Sequence, residues 1–171
     1  MRMPLTREDL PGTPLSDAQV RRREVLTHEL DPNARYAWDT GIAIGRFLEG
    51  LRRGRLLARR CHRCRRTLLP PRMFCEQCFR PTDSWLRVPD TGTINTYSIS
   101  HIRWDASPLE EPILIGVIEI DGTSHGALLH YLGEIDPDSV RIGMKVQAAW
   151  KPADQRVGSI LDIRYFRPVS G

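Results

Sequence analysis

Lysine is almost missing from this sequence: of 25 basic side chains only Lys145 and Lys151 are lysine, and the rest are arginine. Long hydrophobic runs are missing too. The longest spans residues 113–118 and is interrupted by Gly116, far short of the ~18 apolar residues a membrane span needs. No apolar core of a secretory signal is visible at the N-terminus, so a cytoplasmic protein is expected. There is no glycine-rich phosphate loop, no GxSxG nucleophile turn and no HExxH pair. Four cysteines are too few for a disulfide-dense scaffold. What remains is ordinary globular composition, 40% hydrophobic and 27% charged over 171 residues. That length suits one domain, or two small units packed on a real core.

The basic charge is concentrated. Residues 46–87 hold 12 arginines against Glu49, Glu76 and Asp83, a net of +9, while residues 88–171 are net −4 and residues 1–45 net −1. The same central block holds every cysteine. Cys61-x-x-Cys64 is followed after ten residues by Cys75-x-x-Cys78. Two residues between thiols let both sulfurs of a knuckle face one ion, and two knuckles complete a tetrahedral thiolate set suited to structural Zn²⁺. An iron site of rubredoxin type uses the same four sulfurs. Paired disulfides and a redox Cys-x-x-Cys are the other readings; they lack a visible secretory signal and a βαβ context respectively. His62, inside the first knuckle, reads as a solvent-facing spectator. Pro70 and Pro71 are expected at the tip of a tight hairpin between the knuckles. Arg59, Arg60, Arg63, Arg65 and Arg66 flank the thiolates, so part of the arginine density compensates a charge of about −2 on the loaded site.

Along the chain, residues 1–14 read as a proline-rich arm. Ser16 and Gln19 form a capping box, with Leu15 able to staple onto Val20, for a helix running to about residues 28–30. A second helix fits 40–53, with Ile44, Phe47, Leu48 and Leu51 on one face and Gly54 as its stop. A strand over 55–60 enters the first knuckle. Five further strands are expected at 93–101, 113–121, 124–131, 144–150 and 159–166. Asp121-Gly122 reads as a two-residue hairpin turn, and residues 136–143 as a short helix capped by Asp136 and Pro137. Three strands, a short helix and two strands is the element order of a five-stranded OB barrel. The expected fold is α+β but mainly β: an N-terminal arm with two helices over 1–54, a four-cysteine ribbon over 55–87 and a barrel over 88–171.

These residues resemble a known family, formerly a domain of unknown function, that joins a rubredoxin-like zinc ribbon to an OB-fold and is described as acyl-CoA-associated. The resemblance runs from near Tyr36 to about Pro168. It rests on the segment 47–57 leading into Cys61-x-x-Cys64, on Pro70-Pro71-Arg72-x-Phe74-Cys75-x-x-Cys78, on Gly92-Thr93-Ile94-x-Thr96-Tyr97, and on Ile135-Asp136-Pro137 with Val140-Arg141-Ile142-Gly143-Met144. Arg65 departs from the family, whose members often carry Gly after the second cysteine, and implies a less tight knuckle turn. The resemblance implies a non-catalytic accessory subunit bound to a thiolase-superfamily partner: a thiolase, an acyltransferase or an aldolase that cleaves acyl-CoA side chains. It implies that the partner brings the catalytic groups, while the OB unit covers the entrance and helps hold CoA.

CoA is polyanionic, and arginine forks match phosphate geometry. Arg65, Arg66 and Arg72 on the ribbon are the candidates for such contacts; solvated charge or a salt bridge is the competing role for each. The residues able to carry chemistry of their own are His101, Asp105, Glu110, Glu111, His125 and His130, several of them on a loop expected over 101–112 that also holds Trp104. With all four thiols taken by metal, no nucleophile and base pair emerges among them. His130, between Leu129 and Tyr131 in a strand, suits a satisfied structural histidine better than a base. The alternative function is nucleic-acid binding, since zinc ribbons and OB-folds both do it. Tyr97, Trp104, Tyr131 and Trp150 could stack bases, yet they lie in the net-acidic segment, where phosphate neutralisation is poor. An electron carrier of rubredoxin type is a third class and requires iron.

Overall fold

The computed structural model describes residues 16–24, 36–103 and 105–169. It divides into an N-terminal unit through Trp38 and a main unit from Asp39 onward. In the first, the expected capping box forms: the Gln19 N–H donates to Ser16 Oγ and the Ser16 N–H to Gln19 Oε1. Helix α1 then spans only Asp17–Arg21 and buries nothing. It does not continue toward residue 28, because Arg23 turns to φ +54° and ends it. A helix this short has no packed face to prolong it, and packing rather than propensity sustains most helices. Leu15 and residues 25–35 lie outside the described residues.

Helix α2, Gly41–Arg52, opens the main unit. Asp39 Oδ1 accepts the Gly41 N–H at 2.7 Å, replacing the side-chain cap Thr40 does not make. Phe47, Gly50 and Leu51 are buried and Leu48 is partly so, whereas Ile44 is exposed, so the buried stripe is narrower than its spacing implies. Gly54 stops the helix as expected, at φ +66°. Gly50 is demanded by packing: a Cβ there would sit 2.8 Å from Leu57 Cγ.

Strands β1 (Leu56–Arg60), β2 (Thr67–Leu68) and β5 (Ser84–Val88) form one antiparallel sheet, with β1 in the middle. Strands β3 (Phe74–Cys75) and β4 (Arg80–Pro81) form a separate pair. Each cysteine knuckle is thus the tip of its own hairpin, β1–β2 and β3–β4. This corrects the expectation of one hairpin with Pro70-Pro71 at its tip: the prolines link the two hairpins, and Pro71 is fully buried. Proline suits a connection that has no ladder bonds to donate.

The barrel comprises β6 (Thr91–Ile102), β7 (Pro108–Ile120), β8 (Ala127–Tyr131), β9 (Lys145–Trp150) and β10 (Ile163–Pro168). The sheet order is β10-β9-β6-β7-β8. Its two ends meet through a parallel bridge between Leu132 and Phe166, where the Gly133 N–H donates to the Phe166 carbonyl at 2.9 Å. This closed five-stranded arrangement is the expected OB barrel. Ile94, Ile118, Val146, Ile163 and Phe166 are completely buried inside it, and their cluster is continuous with Phe47, Leu51, Leu56 and Ala58.

Four local expectations change. The turn at Asp121-Gly122 widens to a loop over 121–126, because that loop pairs with the ribbon: the Ser124 N–H donates to the Thr67 carbonyl, and the Thr67 N–H to Ser124 Oγ. The loop expected over 101–112 is mostly strand: Ile102 pairs with Pro108, and among the described residues only 103 and 105–107 lie outside the strands. The short helix is a single 3₁₀ turn, Pro137–Ser139, with Asp136 accepting the Asp138 N–H. The last strand begins at Ile163 rather than 159, because Ile160–Asp162 is another 3₁₀ turn.

That turn holds a fully buried carboxylate. Asp162 accepts the N–H groups of Val157 at 3.0 Å, Gly158 at 2.7 Å and Ser159 at 3.0 Å. Burial pushes its pKa up, but these bonds outweigh burial and hold it below the ordinary carboxylate range. Asp162→Ala is expected to cost about 3 kcal/mol in urea melts, since it strands three donors. A depressed folded pKa gives stability that is present above the unfolded value near 3.9 and is lost as pH falls through the folded one. The difference between wild type and variant should therefore shrink in strong acid.

Candidate functional site

The two hairpins bring all four sulfurs together, each within 4.8 Å of every other, with Cys64 and Cys75 at 3.6 Å. Four thiolates around Zn²⁺ at ~2.3 Å stand about 3.8 Å apart, so this donor set fits a tetrahedral ion. Cys61 and Cys75 are buried and the other two partly so; none is in a disulfide. The Cys61 N–H donates to the Arg66 carbonyl, and the Phe79 N–H to the Cys75 carbonyl, closing the two knuckles. Backbone donation from Cys64 brings the Cys61 thiol down to about 7, whereas burial, with the neighbouring cysteines adding to it, pushes Cys78 up to about 12. A cation must therefore displace protons to bind, which makes loading pH-dependent.

Arg65 does not loosen its turn. It takes φ +62°, the left-handed conformation in which glycine is unstrained, and Phe79, the matching residue of the second knuckle, does the same at φ +49°. His62 is exposed and outside the sulfur set; its N–H donates to Asp83 Oδ2 and its ring hydrogen-bonds with Ser84 Oγ. Arg66 and Arg72 converge on Glu76, at 2.7 and 3.4 Å. Glu76's own backbone N–H, together with both guanidiniums, holds its carboxyl below the usual range. Arg65 is exposed and has no carboxylate partner among the described residues. Arg59 is buried: it donates to the Thr82 hydroxyl and carbonyl and lies over Trp85, and Arg46 lies over the same ring.

The barrel candidates are scattered. His101, Glu110 and Glu111 are exposed along the extended β6–β7 ribbon. Asp105 caps its turn by accepting from Ser107, and Trp104 lies outside the described residues. His125 is exposed, 4.0 Å from Glu119. Trp150 donates its indole N–H to Asp90 at 2.9 Å and is covered by Arg156. His130 is buried, with Nε2 on the Ile160 carbonyl at 3.1 Å and Nδ1 accepting the Tyr131 N–H at 2.9 Å. Both ring nitrogens are engaged, as in a neutral structural histidine.

His130 floors a cavity of about 210 Å³ lined by Ile115, Leu129, Tyr131, Ile160 and Leu161. A second of about 160 Å³, beside Tyr97 and Val117, shares Ile115 and Leu129 with it. Sequence reasoning missed this outer face. Its signal is the unalternating run 113–118: a strand apolar on both sides expects cover on both.

Comparisons with known proteins agree with this geometry. Residues 48–83 match the family model described as the ChsH2 rubredoxin-like zinc ribbon domain, and residues 85–151 the ChsH2 C-terminal OB-fold domain. The chain belongs to this zinc-ribbon/OB-fold family. It is 28% identical over 122 residues to a probable enoyl-CoA hydratase alpha subunit of Thermomonospora curvata, covering 71% of this chain but only 36% of that relative. Among solved structures it resembles a DUF35-family protein of unknown function from Sulfolobus solfataricus, at 25% identity and a TM-score of 0.55, over 64% of this chain and 78% of that one. It also resembles a chain of the Ltp2-ChsH2(DUF35) aldolase, at 26% identity and a TM-score of 0.57, over 78% of this chain and 98% of that one. No described helix is long and apolar enough to cross a membrane.

Burial holds His130 below the ordinary imidazole value. A histidine with a lowered folded pKa stabilises the fold above its unfolded pKa, near 6.5, and that contribution is lost as pH falls toward the folded value. Urea melts from pH 8 to 5 should show wild type losing stability relative to His130→Gln below about pH 6.5.

Proposed function

We propose that this chain is a non-catalytic accessory subunit of a thiolase-superfamily enzyme acting on acyl-CoA thioesters. One observation carries the reading: this chain matches, over 78% of its own length, a solved chain of an aldolase that is itself covered to 98%. The match to a probable enoyl-CoA hydratase subunit adds the acyl-CoA context. In this reading a structural zinc on Cys61, Cys64, Cys75 and Cys78 holds the ribbon, the partner supplies the reacting groups, and the complex works in the cytoplasm. The barrel's apolar outer face suits an acyl chain or pantetheine arm. Of the phosphate candidates, Arg65 is free to bind, while Arg66 and Arg72 must release Glu76 first.

Nucleic-acid binding has weaker support, because Trp150 is tied to Asp90 and the barrel segment is net acidic. The deciding experiment is co-purification of the tagged chain from its native host at natural expression, with mass spectrometry of stoichiometric companions. A thiolase-superfamily chain at near-equal amount is expected; nucleic acid or an unrelated assembly would overturn the proposal. Cys75→Ser should lose zinc, measured by elemental analysis, and the companion with it. A variant that stays metal-free yet folded and assembled would remove the structural role of the metal, and a coloured wild-type protein would replace zinc by iron.

A further inference from the structure

The second knuckle presents its most apolar residue in its least comfortable conformation. Phe79 is 80% exposed, at φ +49°. For a bulky side chain that backbone region is an outlier, and glycine would occupy it without strain. An aromatic ring held in water at a strained position gives the ribbon nothing: it fills no core, and its N–H bond to the Cys75 carbonyl would survive any substitution except proline. Backbone outliers of this kind concentrate at functional sites. Phe79 also has company. Phe74, 50% exposed, and Met73 flank the same hairpin, and Phe74 pairs directly with Pro81.

The surroundings select the occupant. Arg65 follows Cys64 as Phe79 follows Cys78, and the sulfurs of those two cysteines lie within 4.8 Å of one another. Arg63 and Arg65 are exposed with no carboxylate partner among the described residues, whereas Arg66 and Arg72 pair with Glu76 and Arg80 pairs with Asp83. An exposed aromatic ring next to unpaired arginines is the composition of an interface anchor, where aromatic and arginine side chains dominate the binding energy. Its complement is an apolar pocket ringed by carboxylates. A second copy offering the same face would bring like charges together, which opposes association.

The geometry points to Phe79 as the anchor by which the ribbon docks into an apolar, acid-rimmed pocket of its protein partner. The inference rests on the accessory-subunit reading and identifies the partner as its thiolase-superfamily chain.

The test compares full-length wild type, Phe79→Gly and Phe79→Tyr in the native host, co-purified after nuclease treatment. Zinc content, Tm and the oligomeric state of each isolated chain are measured alongside. Phe79→Gly relieves the strain, so its zinc content should be unchanged and its Tm no lower than wild type, rising by about 2 °C. Its yield of the thiolase-superfamily companion should fall about tenfold or more, as for a central aromatic anchor. Phe79→Tyr keeps the ring and should retain the companion, and added salt should weaken that retention.

Equal retention by wild type and Phe79→Gly would overturn the anchor while leaving the accessory role standing. A wild type that brings down no such companion would overturn the accessory role and the anchor with it. A lower Tm or lost zinc in Phe79→Gly would make Phe79 a structural part of the knuckle, overturning the assignment. A Phe79-dependent dimer of the isolated chain, or nuclease-sensitive capture, would give the face to another occupant and overturn it equally.

Discussion

The convergence of four sulfurs is the constraint on which the ribbon depends. Strands β2, β3 and β4 are two residues long, well below the length at which strand pairs hold themselves together in water. Among the described residues the β3–β4 pair is joined to no other strand. Its position is set by Cys75, buried beside Cys64 and Cys61, by the bridge from Arg66 to Glu76 across the two knuckles, and by Thr82 and Asp83, which hydrogen-bond to Arg59 and Arg60 of β1. Binding free energy at such a site is folding free energy, because no preformed site exists in the unfolded chain. The arginine-rich composition fits the same constraint, since a four-thiolate zinc site carries two negative charges that guanidiniums offset without competing as ligands.

The barrel has a core of its own, and the ribbon is fastened to it. Helix α2 and strand β1 contribute Phe47, Leu51, Leu56 and Ala58 to the cluster that fills the barrel. The 121–126 loop reaches the ribbon through Thr67 and Ser124. A Cβ at Gly126 would meet Leu69 at 2.8 Å, so glycine there permits the close approach. Near α2, a Cβ on Gly158 would stand 3.4 Å from the Leu48 carbonyl, in the loop that Asp162 organises. The ribbon is therefore fastened to the barrel at several points, which matters for any surface the two present to a partner.

Much of this was legible because it depends on local rules. Cysteine spacing announces the four-sulfur cluster, Gly54 the end of α2, and the strand count with its order the OB barrel. Illegible features were those set by distant neighbours. Asp121-Gly122 has the composition of a tight turn, and only pairing with residue 67, more than fifty positions away, widens it. The loop expected at 101–112 is polar and proline-bearing, yet the β6–β7 ladder continues through Ile102–Pro108, with backbone pairing indifferent to side-chain polarity. Arg65 implies a relaxed knuckle by residue type, yet its backbone takes the left-handed conformation that glycine would, as does Phe79 at the matching place in the second knuckle. Where tertiary or metal geometry over-determines a position, propensity is overridden.

The two exposed apolar regions differ in a way that bears on their roles. On the barrel, Leu129 and Tyr131 stand beside Ile113 and Ile115 on regular, unstrained strands, over a cavity floored by a neutral histidine. That surface is broad and shaped, and its lining offers few polar groups to fix an orientation; such a face accommodates a flexible chain or a partner's side chains. On the ribbon, Phe79 is an exposed ring at a strained position, one residue past a cysteine whose sulfur lies within 4.8 Å of that of Cys64, which precedes the unpaired Arg65. One surface accommodates, the other locates. An accessory subunit needs both properties if it is to hold a ligand beside chemistry done by another chain. Position must come from a rigid, charge-selected point, because loosely apolar faces leave register free. The four-sulfur cluster, where the two knuckles meet, is what fixes the ribbon's geometry at that point.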